Sequence, residues 1–198
     1  MAASISSYDE NWFPDGTGLN DSLYDVLIAF QNNGLEGSHP NNTGGFYGGG
    51  SFSGTSYSYV DASLGFAFQA TGDLNYYFPP LNGNVGDGPT SHTLWGSIDS
   101  ITLGGGLNSD GSVADAFITF TFDEAITGDV SEGRTNDVHD VIWGLMNGSV
   151  VGADDSIGTG TNGGLVQALI DNGLDVDASI ASLVGTASAT DADLALAA

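Results

Sequence analysis

The sequence predicts one α+β domain, with helices packed on one face of an antiparallel sheet. Two observations carry this prediction. Apolar residues are spaced helically near the N-terminus, alternate through the middle of the chain, and return to helical spacing after Asp137. In addition, 198 residues with 40% hydrophobic side chains, including ten Phe, suit one domain with a real core plus a tail, and there is no internal repeat. The expected division is a folded unit over 1–185 and a flexible tail over 186–198.

The first helix is expected over 20–32. Asn20 or Asp21 can cap it, Leu23, Val26, Leu27 and Phe30 fall on one stripe, and Gly34 follows its end. Residues 34–50 read as a long Gly- and Asn-rich loop carrying His39, Phe46 and Tyr47. From 51 to 122 the period is two. Leu64, Phe66 and Phe68 alternate with small or polar residues, as do Leu74, Tyr76 and Phe78, and then Ile118, Phe120 and Phe122. Thr71-Gly72-Asp73 reads as a turn between strands, Pro79-Pro80 as a strand stop, and the next strand starts near His92. After Asp137, Val138, Val141, Ile142 and Leu145 form one helical stripe and His139, Trp143 and Met146 a second, so this helix has contacts on two sides. Further helices are expected at 164–172 and 178–184. The Ala-, Asp- and Ser-rich tail from Thr186 reads as frayed.

Charge excludes several functions. Twenty-five acidic residues stand against one base, Arg134, for a net charge of −24. Nucleic acid and anionic lipid both need Lys and Arg, so neither is an expected partner. Without cysteine there is no disulfide, zinc-thiolate or thiol chemistry. No run approaches a membrane span, and residues 1–13 have neither the basic nor the apolar part of a cleaved N-terminal signal. Export by a route that does not read the N-terminus, or a cytoplasmic location, is expected.

Candidate chemistry lies in three imidazoles and a tyrosine. Tyr76 sits in a strand, and His92 follows it by sixteen positions across a loop. Adjacent antiparallel strands can bring the two together. A phenol is a poor ligand while protonated, at a reference pKa of about 10. A neutral imidazole that accepts its proton gives the oxygen phenolate character, which suits ferric iron. His39 can supply a second ligand from its loop. Each of these also has an ordinary reading. A loop histidine is commonly solvated, a strand tyrosine commonly packs in a sheet, and His139 and the Trp143–Met146 stripe are commonly core.

Five segments give the pattern a family. SHPNNTGGFYGG at 38–49, GDLNYYF at 72–78, SHTLWGSIDSITLG at 91–104, VHDVIWGLMNGS at 138–149 and DLALAA at 193–198 resemble, in order, the secreted hemophores of bacterial haem-acquisition systems. The resemblance implies a curved antiparallel sheet against a helical layer, with haem between two loops at one edge. It implies His39 and Tyr76 as axial ligands of ferric haem b and His92 as the hydrogen-bond partner of Tyr76. Phe46, Tyr47, Phe78, Trp143 and Met146 are the implied pocket walls, and His139 keeps a structural role. It implies haemoproteins as the haem source, an outer-membrane haem receptor as recipient, and an ABC-type exporter that reads the C-terminus. The protein would then be extracellular and not an enzyme. Asn82 to Pro89 forms an apparent insert between Tyr76 and His92, and a one-residue slip would present Tyr77 in place of Tyr76. The competing reading is an acidic, calcium-binding structural or adhesive protein, suggested by Asp15-Gly16-Thr17-Gly18 and Asn108-Ser109-Asp110-Gly111. A glycosidase-like carboxylate pair is a third, weaker reading, since any acidic chain offers such pairs.

Overall fold

The computed structural model describes residues 2–34, 43–88, 90–155 and 157–185. Six strands form one antiparallel sheet: β1 (Ala3–Tyr8), β2 (Gly45–Tyr47), β3 (Ser53–Asp61), β4 (Phe66–Tyr77), β5 (Thr93–Leu107) and β6 (Val113–Gly128). Their order across the sheet is β1-β6-β5-β4-β3-β2. The helices are α1 (Leu23–Gln31), α2 (Asp137–Met146) and α3 (Gly164–Asp171), with a further helical stretch at 180–185. The predicted fold class is the one observed.

One face of the sheet is apolar and carries the helices. Phe66, Phe68, Ile101, Leu103, Ile118 and Phe120 are buried there with Leu23, Val26 and Leu27 of α1 and Val138, Val141, Ile142 and Leu145 of α2. Phe30 of α1 stacks on Phe66 at 4.4 Å between ring centroids and tilts against Phe117 at 5.2 Å. The strands carry rows of hydroxyls as well. Ser4 pairs with Thr121 at 3.0 Å and Thr102 with Thr119 at 3.1 Å, cross-strand contacts of the kind that fix register. Ser22, rather than Asn20 or Asp21, caps α1 by accepting from the Asp25 N–H at 3.0 Å.

The strands depart from expectation in four places. β1 was not expected; it is an edge strand with only Ala3 fully buried, so it lacks a strong alternation. Part of the predicted 34–50 loop is strand β2, which pairs with β3. Thr71-Gly72-Asp73 is no turn: β4 runs unbroken through it as a bulge. Pairing with β5 shifts there by one residue, from Thr71↔Ser100 to Leu74↔Gly96. Glycine allows this on both sides. A Cβ on Gly72 (φ +154) would lie 2.1 Å from the Ser97 carbonyl oxygen, and one on Gly96 (φ +118) would lie 2.0 Å from that of Asp73. Likewise Leu64 lies in the turn between β3 and β4, 38% exposed, and not on a strand.

The bulge matters because it sets the register beyond it, where Tyr76 faces Leu94 and Tyr77 faces Thr93. Gly72→Ala is expected to destabilise the protein by about 2 kcal/mol or more, through backbone clash at a φ that side chains avoid. Urea unfolding measures this; a change within 0.5 kcal/mol, roughly the range of an ordinary surface substitution, would show that the close approach is not required.

Candidate functional site

A cleft of about 570 Å³ opens between the segment 43–46, the ends of β3 and β4, and α2. Its apolar walls are Phe46, Phe52, Leu94, Trp143 and Met146, and its polar groups are Tyr57, Tyr76, His92, Arg134 and His139. That combination, apolar surface with a few convergent polar atoms, is the usual form of a small-molecule site.

Tyr76 is the next-to-last residue of β4, and its hydroxyl is hydrogen-bonded to Nδ1 of His92. Three backbone contacts hold the pair. The Tyr76 N–H donates to the Phe52 carbonyl at 2.8 Å, the side-chain amide of Asn82 donates to the Tyr76 carbonyl, and the His92 N–H donates to the Tyr77 carbonyl at 2.9 Å. His92 has φ +65 and is the only non-glycine residue with positive φ among the described residues. A left-handed conformation at such a position marks a constraint imposed by its surroundings. Aromatic rings surround the pair. Phe52 stacks parallel to Tyr76 at 6.3 Å and Phe78 lies 4.4 Å from the His92 ring. Burial pushes the Tyr76 phenol above its ordinary pKa, while the charge of Arg134 pulls it down.

The insert does not separate Tyr76 from His92. Phe78 and Asn82 exchange both backbone hydrogen bonds, each at 2.8 Å, so the chain folds back at once. Gly83 and Gly88 of the insert lie against the ring of Tyr77, whose hydroxyl donates to the Asn84 carbonyl at 2.6 Å. Tyr77 is 4% exposed and does not line the cleft. Alternation therefore presents Tyr76, and not Tyr77, to the cleft.

The remaining expected residues divide. Phe46, Trp143 and Met146 line the cleft. Tyr47, the next residue of β2, is not a cleft wall; its ring lies against Gly111 at the β5–β6 turn, because successive strand side chains point to opposite faces. Phe78 also is not a wall but backs the rings of Tyr76 and His92. His39 falls outside the described residues. Sequence reasoning missed Phe52, Tyr57, Leu94 and Arg134. Tyr57 receives the Gly44 N–H at 2.9 Å and donates to the Met146 sulfur at 3.0 Å, tying the first wall to α2.

His139 is more than packing. Its Nδ1 accepts the Leu94 N–H at 3.2 Å, and its ring lies parallel to Trp143 at 5.9 Å. Nε2 is buried with no partner among the described residues. Burial, and then the charge of Arg134, lower its pKa to about 4, with Asp155 opposing. The turn at Asn108–Gly111 employs Asp110 internally, on the backbone and hydroxyl of Ser112. No group of three acidic or histidine residues suited to a metal occurs among the described residues, and the calcium reading has no support.

A family model described as heme-binding protein A matches residues 4–198. The hemophore HasA of Serratia marcescens is 32% identical over 138 residues, spanning 64% of this chain and 68% of that protein. Among solved structures, the holo hemophore HasA of Yersinia pestis superposes with a TM-score of 0.64 at 24% identity, covering 92% of this chain and 96% of that one. An apo, tetragonal form of the Yersinia pestis protein gives 0.61 at 25% identity, covering 90% and 91%.

The low pKa of His139 predicts an acid-sensitive fold. Its folded value lies below the ordinary 6.5, so its contribution is complete above about pH 6.5 and is lost as pH falls toward 4. The full effect is on the order of 3 kcal/mol. Denaturant unfolding at pH 7 and pH 5 should show a larger acid loss for the wild type than for His139→Gln; equal losses would contradict a buried neutral imidazole.

Proposed function

The chain belongs to the heme-binding protein A family, and from that premise we propose that it is an extracellular hemophore, a carrier that takes up ferric haem b through Tyr76 and delivers it to a receptor. The observation that supports this most is the hydroxyl of Tyr76, placed at an apolar cleft and hydrogen-bonded to His92.

Haem supplies a broad apolar disc and an iron with open axial positions. The protein's part can be read from its own residues. Phe46, Phe52, Leu94, Trp143 and Met146 give apolar area, at roughly 25 cal/mol per Å² buried. His92 Nδ1 can take the phenol proton, leaving an anionic oxygen, a hard donor that favours the ferric state. In the protein without ligand, burial keeps that phenol protonated, so the anion is formed when iron is there to stabilise it. Protonation of His92 removes the acceptor and weakens the oxygen as a ligand, which offers a route to release.

His39 is proposed as the opposite axial ligand. With a net charge of −24 and no lysine, the haem propionates are best left toward solvent. No helix among the described residues is long and apolar enough to cross a membrane. The terminal DLALAA fits a C-terminal export signal read by an ABC-type exporter. Haemoproteins are the proposed source of haem and an outer-membrane receptor its destination. Carriage, and not catalysis, is the proposed role, in keeping with the heme-binding family that the chain matches.

Haemin titration followed by absorbance tests the reading. The wild type should develop the charge-transfer bands of ferric iron bound by phenolate. Tyr76→Ala should lose them and bind at least about tenfold more weakly, or 1.4 kcal/mol. Tyr77→Phe should behave as wild type and His39→Ala should change the bands while keeping the phenolate signature. Bands unaffected by Tyr76→Ala would contradict the assignment.

A further inference from the structure

Arg134, the only basic side chain besides histidine, sits at the cleft wall and is 9% exposed. A 3-10 turn, Val130–Thr135, carries it there. Its Nε and Nη2 both donate to the Ser91 carbonyl, at 3.1 and 2.8 Å, and its Nη1 donates to Asp155 Oδ2 at 3.2 Å. Asp155 is itself fixed. Oδ1 accepts the N–H groups of Ile157 and Thr159 at 2.9 and 3.1 Å, and Oδ2 accepts the Thr159 hydroxyl at 2.7 Å. The carboxylate side chain is 2% exposed.

The Ser91 carbonyl belongs to the peptide group that precedes His92. The other polar group of that peptide, the His92 N–H, donates to the Tyr77 carbonyl. The peptide plane is therefore held from both sides, by the guanidinium and by the end of β4. His92 turns from this plane through φ +65, and its ring meets Tyr76. An ordinary negative φ on the same plane would carry the ring elsewhere, because φ rotates the side chain about the bond next to it. Two donors on one carbonyl with a third on a carboxylate is a fork that guanidinium supplies and ammonium does not.

We propose that Arg134, braced by Asp155, is a positioning residue that locks the Ser91–His92 peptide so that the His92 ring engages Tyr76. The inference rests on the reading of Tyr76 as the haem ligand for its functional meaning. It assigns the chain's lone arginine a task other than pairing with propionates. Its charge also favours the phenolate of Tyr76, against the effect of burial.

The test uses the full chain with ¹⁵N-labelled histidine. In the protein without haem, the Nδ1 resonance of His92 reports its hydrogen bond, and Tyr76→Phe supplies the reference for a lost bond. Arg134→Gln should move this resonance most of the way to that reference. Asp155→Asn should move it in the same direction by less, and Arg134→Lys should restore it only in part. Haemin affinity should fall at least tenfold in Arg134→Gln, with weaker charge-transfer bands. Should Arg134→Gln fail to fold, Asp155→Asn and Arg134→Lys still decide. A wild-type Nδ1 resonance in any folded variant that breaks the clamp overturns the inference. If the wild type lacks Tyr76-dependent bands with haemin, the haem reading fails, and the resonance still judges the clamp separately.

Discussion

The site depends on one hydrogen bond, between the Tyr76 hydroxyl and Nδ1 of His92, made where β4 ends and β5 begins. A phenol in an apolar cleft holds its proton more tightly than one in water, so an iron-binding phenolate needs a base beside it. The sheet supplies that geometry through register. The one-residue shift at Gly72 and Gly96 puts Tyr76 opposite Leu94, and the short return at Phe78–Asn82 brings the chain back to His92. Beyond Asn82, Gly83, Asn84 and Gly88 lie against Tyr77, out of the cleft.

Around this bond the molecule builds rigid support from several elements. Leu94, opposite Tyr76, gives its N–H to His139 and its carbonyl to Asn136, which also caps α2. The N-terminus of α2 is thereby docked on the start of β5, and Trp143 and Met146 follow on the face that lines the cleft. Tyr57 joins Met146 to the opposite wall. Trp143 donates to the Asp154 carbonyl at 3.3 Å, next to the Asp155 that braces Arg134. A chain with a net charge of −24 thus places its single arginine where its positive charge pulls the Tyr76 phenol toward its anion, against burial.

Much of the fold was legible because its signals are local. The stripe Leu23–Phe30 and the double stripe from Val138 to Met146 specify α1 and α2 within one or two turns, and the alternation of Phe66 with Phe68 and of Ile118 with Phe120 specifies strands. What was lost depends on distant neighbours. β1 is half exposed and recognisable only by its pairing with β6, and Gly72 reads as a turn until Gly96 is seen across from it. In the site, Tyr76, His92, Trp143 and Met146 follow from spacing and resemblance. Tyr47 and Phe78 were expected at the wall, but the strand pleat and the turn after β4 take their rings elsewhere. Arg134 was passed over because its partners lie 43 and 21 positions away, at a backbone carbonyl and a carboxylate that no local pattern marks.

The central claim is that Tyr76, and no other side chain, presents an anionic oxygen to haem iron with His92 as its base. Resonance Raman spectra of the ferric haem complex, excited within the charge-transfer band, test it directly. The account predicts enhanced phenolate ring modes that shift when tyrosine is isotopically labelled and vanish in Tyr76→Phe. Their absence from the wild-type complex, or their survival in Tyr76→Phe, would contradict it.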